Sequence, residues 1–110
     1  MTTQIGFGLL PGNIPSTLMI SLEPDPVNFV QEVKTEGATT SSTTVVAPTP
    51  TSGQGGLHPY CRIATSATGL YVSFGASPNS QTDTTRRWIP AAGVYYMAVP
   101  AGVKAAISTA

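Results

Sequence analysis

One histidine, one cysteine and five carboxylates are what this 110-residue sequence offers to acid–base, nucleophilic or metal chemistry. His58 stands beside Pro59, with no second histidine or carboxylate at ligand spacing, and reads as an ordinary surface or capping residue. Cys61, in "PYCRIAT", alternates with Arg62 and is in phase with Ile63, so it reads as a small buried apolar residue. A single cysteine also excludes an intrachain disulfide. Of the carboxylates, Glu23, Asp25, Glu32 and Glu36 fall in the N-terminal half and Asp83 in the C-terminal half, none in a paired general acid–base motif. No serine lies in a G-x-S-x-G nucleophile elbow. "GQGG" (53–56) lacks the lysine and helix of a phosphate loop, and "GFG" (6–8) lacks the rest of a dinucleotide fingerprint. Neither catalysis nor a metal nor a cofactor is expected.

Recognition is better supplied. "GLYVSFGASPNSQTDTTRRWIP" (69–90) ends in Arg86, Arg87 and Trp88. Two arginines beside an aromatic ring could clamp phosphates and stack a base. Residues 57–110, however, hold only Arg62, Arg86, Arg87 and Lys104 against Asp83, a net +3, with no basic stripe, so nucleic acid is not the expected partner. On a strand, Arg86 shares a face with Trp88, and Arg87 with Ile89. An arginine stem along apolar surface fits that pattern, and Arg and Trp are enriched at interface hot spots. Protein contact is the expected use, with a solvated face as the plain alternative. Tyr95 and Tyr96 must face opposite sides of a strand, and the outward ring is either a contact or a simple exposed sheet tyrosine. Trp88, Tyr95 and Tyr96 could instead be stacking platforms for a carbohydrate.

The elements that must position these residues are β-strands. Alternation and turn chemistry give strands at 59–65, 69–75, 85–89, 93–99 and 103–108, starting about every ten residues in most intervals, as in all-β folds. Val72, Phe74, Ile89 and Ile107 are candidate core residues of a small antiparallel β-sandwich or barrel-like module over 57–110. Upstream, 37–56 is 15 of 20 Thr, Ser, Gly or Pro and reads as a flexible linker, with "TTVVA" (43–47) as a short edge strand at most. Residues 1–36 read as an extended arm with one or two short strands, at 17–22 and at 27–34, where Phe29 and Val33 also fit a helical i, i+4 pair but three valines favour the strand. Pro11 and Pro15 exclude a helix at its start. Ile5, Phe7, Leu9 and Leu10 are too apolar to dangle in water and are expected to lie on another polypeptide.

Charge gives the same direction. Charged residues are 9% of the chain, where about 25% is usual, and the net charge is zero. Such a surface suits packing against neighbours. Residues 1–56 carry a net −3, which favours pairing with the basic half of the same chain or of the next copy. No lysine-led apolar leader opens the sequence and no run reaches the roughly 18 apolar residues of a membrane span. Assembly in a cytoplasm, without membrane contact, is expected.

Residues 61–108 resemble the small β-module of tailed-bacteriophage virion proteins. Cys61-Arg62-Ile63, Tyr71-Val72-Ser73-Phe74-Gly75, Ser77-Pro78, Ile89-Pro90-Ala91, Val94-Tyr95-Tyr96, Pro100, Gly102 and Lys104 carry the likeness. The sequence departs from that group at Ala105 and Ala106, where a bulky aliphatic is common. The resemblance implies a non-enzymatic virion component, such as a capsid decoration or cement protein. Its partners would be a major capsid protein and copies of itself, as a homo-oligomer and, by analogy, a trimer. A head–tail junction or tail component is the neighbouring alternative, and a carbohydrate- or host-surface-binding module the different one. The resemblance transfers no catalytic or ligand-binding residues.

Overall fold

The computed structural model describes residues 2–11, 27–51 and 56–110. The strands are β1 (Thr2–Pro11), β2 (Val27–Thr35), β3 (Ser41–Ser42), β4 (Leu57–Thr65), β5 (Leu70–Gly75), β6 (Arg87–Ile89), β7 (Gly93–Ala98) and β8 (Lys104–Ser108). They form two antiparallel four-stranded sheets, ordered β2-β1-β4-β7 and β3-β8-β5-β6. Alternation on β1 and β4 turns Ile5, Phe7, Cys61 and Ile63 inward. Alternation on β5, β6 and β8 turns Leu70, Val72, Ile89, Ala105 and Ile107 toward them, and the two sets meet in one core. The fold is the all-β sandwich that the strand spacing implies. The expected strand at 17–22 lies outside the described residues.

The first apolar segment is not an arm. β1 is an inner strand, paired with β2 on one side and with β4 on the other over Thr3–Pro11. Ile5, Phe7 and Leu9 are fully buried in their own chain. Leu10 pairs with His58, and its side chain lies outside the described residues. The glycines that read as breakers are what let this strand be covered on its other face. A Cβ at Gly6 would fall 2.4 Å from Phe29 Cζ, and one at Gly8 2.8 Å from Tyr60 Cε1. The bare backbone thus seats two aromatic rings outside while Ile5 and Phe7 fill the core.

Residues 37–47 of the expected linker are also tied down. Its strand is Ser41–Ser42, against Ile107–Ala106, rather than 43–47. Residues 43–47 then follow β8: Thr43 N–H donates to Ala105 O (2.8 Å), Ala47 N–H to Val103 O (2.9 Å) and Gly102 N–H to Ala47 O (2.8 Å). Thr43 and Ala47 are buried. Short polar residues with little apolar surface can be ordered this way, because hydrogen bonds to a preformed strand edge replace those to water.

Glu32 joins the two sheets at one side. Its Oε1 accepts from Thr44 N–H (2.8 Å), Thr44 Oγ1 (3.0 Å) and Val45 N–H (3.2 Å), and its Oε2 lies 2.9 Å from Lys34 Nζ. This ion pair sits within the N-terminal half, not between the halves. Burial pushes the carboxyl up, but Lys34 and the Thr44 and Val45 donors outweigh it and hold it at about 2, below its ordinary 4.5.

Three outcomes follow from these contacts. Phe7→Ala lowers unfolding free energy in urea titrations by about 3–5 kcal/mol, as for a buried aromatic, and deletion of 2–11 leaves residues 57–110 without a cooperative transition. Glu32 is held below its unfolded value, so its stabilisation is complete above pH 4.5 and is lost as pH falls toward 2. Glu32→Gln should flatten the stability–pH curve across that interval.

Candidate functional site

The arginine–tryptophan stretch assembles on the outer face of the β3-β8-β5-β6 sheet. β5 sends Leu70 and Val72 into the core, so Tyr71 between them faces out. β6 pairs Ile89 with Leu70 and therefore Trp88 with Tyr71. The two rings lie 4.6 Å apart at 53°. A Cβ at Gly69 would stand 2.6 Å from Trp88 Cη2, so the indole reaches its place only because that residue has no side chain. The Arg86 guanidinium caps the other ring, 4.4 Å from the Tyr71 centroid, and donates to Gln81 O. Trp88 is nonetheless 52% exposed, and Arg86 and Arg87 are exposed beside it.

The loop from β5 to β6 is held by short polar side chains. Asp83 accepts from the Ser73 hydroxyl and from Asn79 N–H (3.0 Å). Those donors, Ser73 first, outweigh its burial and keep its carboxyl below the ordinary range. Ser80 Oγ donates to Ser108 Oγ (2.8 Å) and lies 2.9 Å from Thr40 Oγ1. Gln81 donates to Ala38 O (2.7 Å) and accepts from Thr40 N–H (3.1 Å). The segment that ends in Arg86 is thereby fixed to β5, to β8 and to residues 38–40. What it presents is a tilted pair of aromatic rings with the Arg86 cation against Tyr71, able to stack and to pair with an anionic group.

Other expected contact residues do not join it. Ile5, Phe7 and Leu9 are core residues, as described above. Tyr95 opposes Ile63 and packs against the core from the other sheet, with its hydroxyl donating to Ala91 O (2.7 Å). Its partner-contact role is corrected accordingly: it is Tyr96 that faces out, its ring 6.1 Å from that of Tyr60. Trp88, Tyr95 and Tyr96 therefore share no platform. The residue that sequence reasoning missed is Tyr71. Alternation in "LYVSF" marks it as outward, but only the β5–β6 register sets it under Trp88.

The chemistry-bearing residues stay apart. His58 is exposed, and burial pushes the Cys61 thiol up, which suppresses the thiolate. Among the described residues no three His, Cys, Asp or Glu side chains gather to hold a metal. No protein-family model, no curated protein and no solved structure matches the chain.

Trp88 is the sole tryptophan, so its seat is directly readable. Gly69→Ala should displace the indole, shifting fluorescence emission to the red and lowering its anisotropy, with the melting temperature down by only a few degrees, for a cost of roughly 1 kcal/mol. An unchanged spectrum would contradict the stack.

Proposed function

We propose that the chain is a non-enzymatic structural protein of a tailed-phage virion, decorating or cementing the capsid through protein–protein contacts. The observation that carries this reading is the Arg86–Tyr71–Trp88 stack, an exposed and pre-positioned group of the residue types that dominate interface energetics. A rigid aromatic loses little conformational entropy on docking, which favours it as an anchor. Support comes also from the resemblance over residues 61–108 and from a chain with only 9% charged residues. The partners are a major capsid protein and further copies of the chain, within the virion.

The same stack favours a second reading, a carbohydrate- or host-surface-binding module, because a half-exposed indole is also a surface for a sugar ring. That reading now rests on Trp88 and Tyr71 rather than on Trp88, Tyr95 and Tyr96. A head–tail junction protein would use the same contacts at a different copy number.

Binding of the purified chain to particles lacking it tests these readings together. Trp88→Ala should weaken attachment about 30-fold or more, the size of a hot-spot truncation, while circular dichroism keeps the β signal. Roughly hundreds of copies per particle mark shell decoration, and a single ring's worth marks a junction. Full attachment of the Trp88→Ala protein would remove the stack from the interface. A glycan-array signal lost in the same variant would move the function to sugar binding.

A further inference from the structure

A surface arginine is ordinarily paired with a nearby carboxylate or left free in water. Arg86 is neither. Its guanidinium is fixed by two neutral partners, the Tyr71 ring at 4.4 Å and Gln81 O. The carboxylate nearest to it in sequence is turned elsewhere. Asp83 O accepts from Arg86 N–H (3.3 Å), so the two residues meet through their backbones, yet the Asp83 carboxyl is taken by the Ser73 hydroxyl and Asn79 N–H. Arg87 stands exposed next to it on β6. Among the described residues no carboxylate pairs with either arginine. Asp83 therefore shapes the loop without neutralising it, and two uncompensated cations stand beside a half-exposed indole.

We propose that the stack receives an acidic segment of a dissimilar protein, with carboxylates on the Arg86 and Arg87 guanidinium groups and an apolar side chain against Trp88. The proposal names the chemistry of the partner and rests on the reading of the stack as a protein contact. Charge complementarity carries it. A carboxylate that meets a guanidinium already held in place gains charge-assisted hydrogen bonds at little further ordering cost. A second copy of this chain is a poor source of that carboxylate. Among the described residues Glu32, Glu36 and Asp83 are the carboxylates, and each is hydrogen-bonded within its own chain, Glu32 to Lys34 as well. Acidic sugars and phosphates share the anionic chemistry, but small ligands are taken up in concave sites. Here two rings meet at 53° on the outer face of a sheet, which offers a face and an edge to a side chain rather than a bed for a sugar ring.

Titration of the full chain with a random copolymer of glutamate and alanine tests the proposal, read by Trp88 emission at low salt, on the order of 20 mM, where charges are little screened. The emission should shift to the blue and saturate below about 1 mM copolymer, a range that registers even weak binding. A lysine–alanine copolymer should leave it unchanged. Arg87→Gln should weaken binding about tenfold, the size of one charge-assisted hydrogen bond, with its thermal transition intact, and Arg87→Lys should recover part of the loss. Salt at roughly 0.5 M should weaken the wild type as well. No blue shift, equal affinity of Arg87→Gln, a stronger response to polygalacturonate or polyphosphate than to the glutamate copolymer, or a mass that doubles with concentration and reverts in Arg87→Gln would each overturn it, the last by making a second copy the occupant. Particle attachment separates this proposal from the reading beneath it. Attachment that needs Trp88 but ignores both salt and Arg87→Gln sinks the acidic partner alone. A chain that binds the glutamate copolymer and no particle keeps the acidic partner and sinks the virion reading.

Discussion

The structure depends on β1 being buried from both sides. Ile5, Phe7 and Leu9 occupy the core, Thr3 sits at its end, and the strand hydrogen-bonds to neighbours on both edges. Remove it and β2 has no partner in its sheet, while β4 keeps only β7. Burying three large apolar side chains contributes several kilocalories per mole, at about 1.5–3 kcal/mol each, in a domain whose net stability is of order 5–15 kcal/mol. The N-terminal residues are therefore part of the folding unit that a reading by composition assigns to the C-terminal half.

How much of this was legible depends on what stood opposite each apolar residue. β4, β5, β7 and β8 were readable because their alternating side chains include ordinary β-formers, as in Leu70-Tyr71-Val72-Ser73-Phe74. β1 has the same period of two, Ile5-Gly6-Phe7-Gly8-Leu9, but its alternate positions are glycine. Glycine weakens a strand taken alone and gives no sign that Phe29 and Tyr60 will fill the space above it. The cover comes from residues 23 and 52 positions away, Phe29 over Gly6 and Tyr60 over Gly8, so no local window contains it. The Thr-rich stretch misled for the opposite reason, since its order comes from hydrogen bonds to β8 that are not written in its own composition. At the contact site the arginines and Trp88 were legible as residue types, whereas the pairing with Tyr71 belongs to the register.

Few charges leave the polar interior to hydroxyls. Thr3 Oγ1 donates to Glu36 Oε1 (2.6 Å) and lies 2.9 Å from Thr65 Oγ1, which in turn reaches Ala67 N–H (3.0 Å). Ser80 and Ser108 repeat the device under the β5–β6 loop. A serine or threonine both donates and accepts, so it serves buried backbone groups and the Glu36 Oε1 without the desolvation cost of a second ion, while Glu36 Oε2 is buried without a partner. The many Thr and Ser residues that look like solvated surface in the sequence are thus partly internal joinery.

That assignment bears on function. The three carboxylates among the described residues, Glu32, Glu36 and Asp83, each accept hydrogen bonds from hydroxyl or backbone donors of their own chain. Groups so engaged hold loops and sheets together, and the accessible groups include the Trp88 ring and the Arg86 and Arg87 cations. Trp88 stands on the outer face of the sheet that contains β5, apart from the sheet that contains β1. Its ring packs on Tyr71, which Arg86 caps, so the face it presents is set by the β5–β6 register and not by the β1 pairing that holds the fold together.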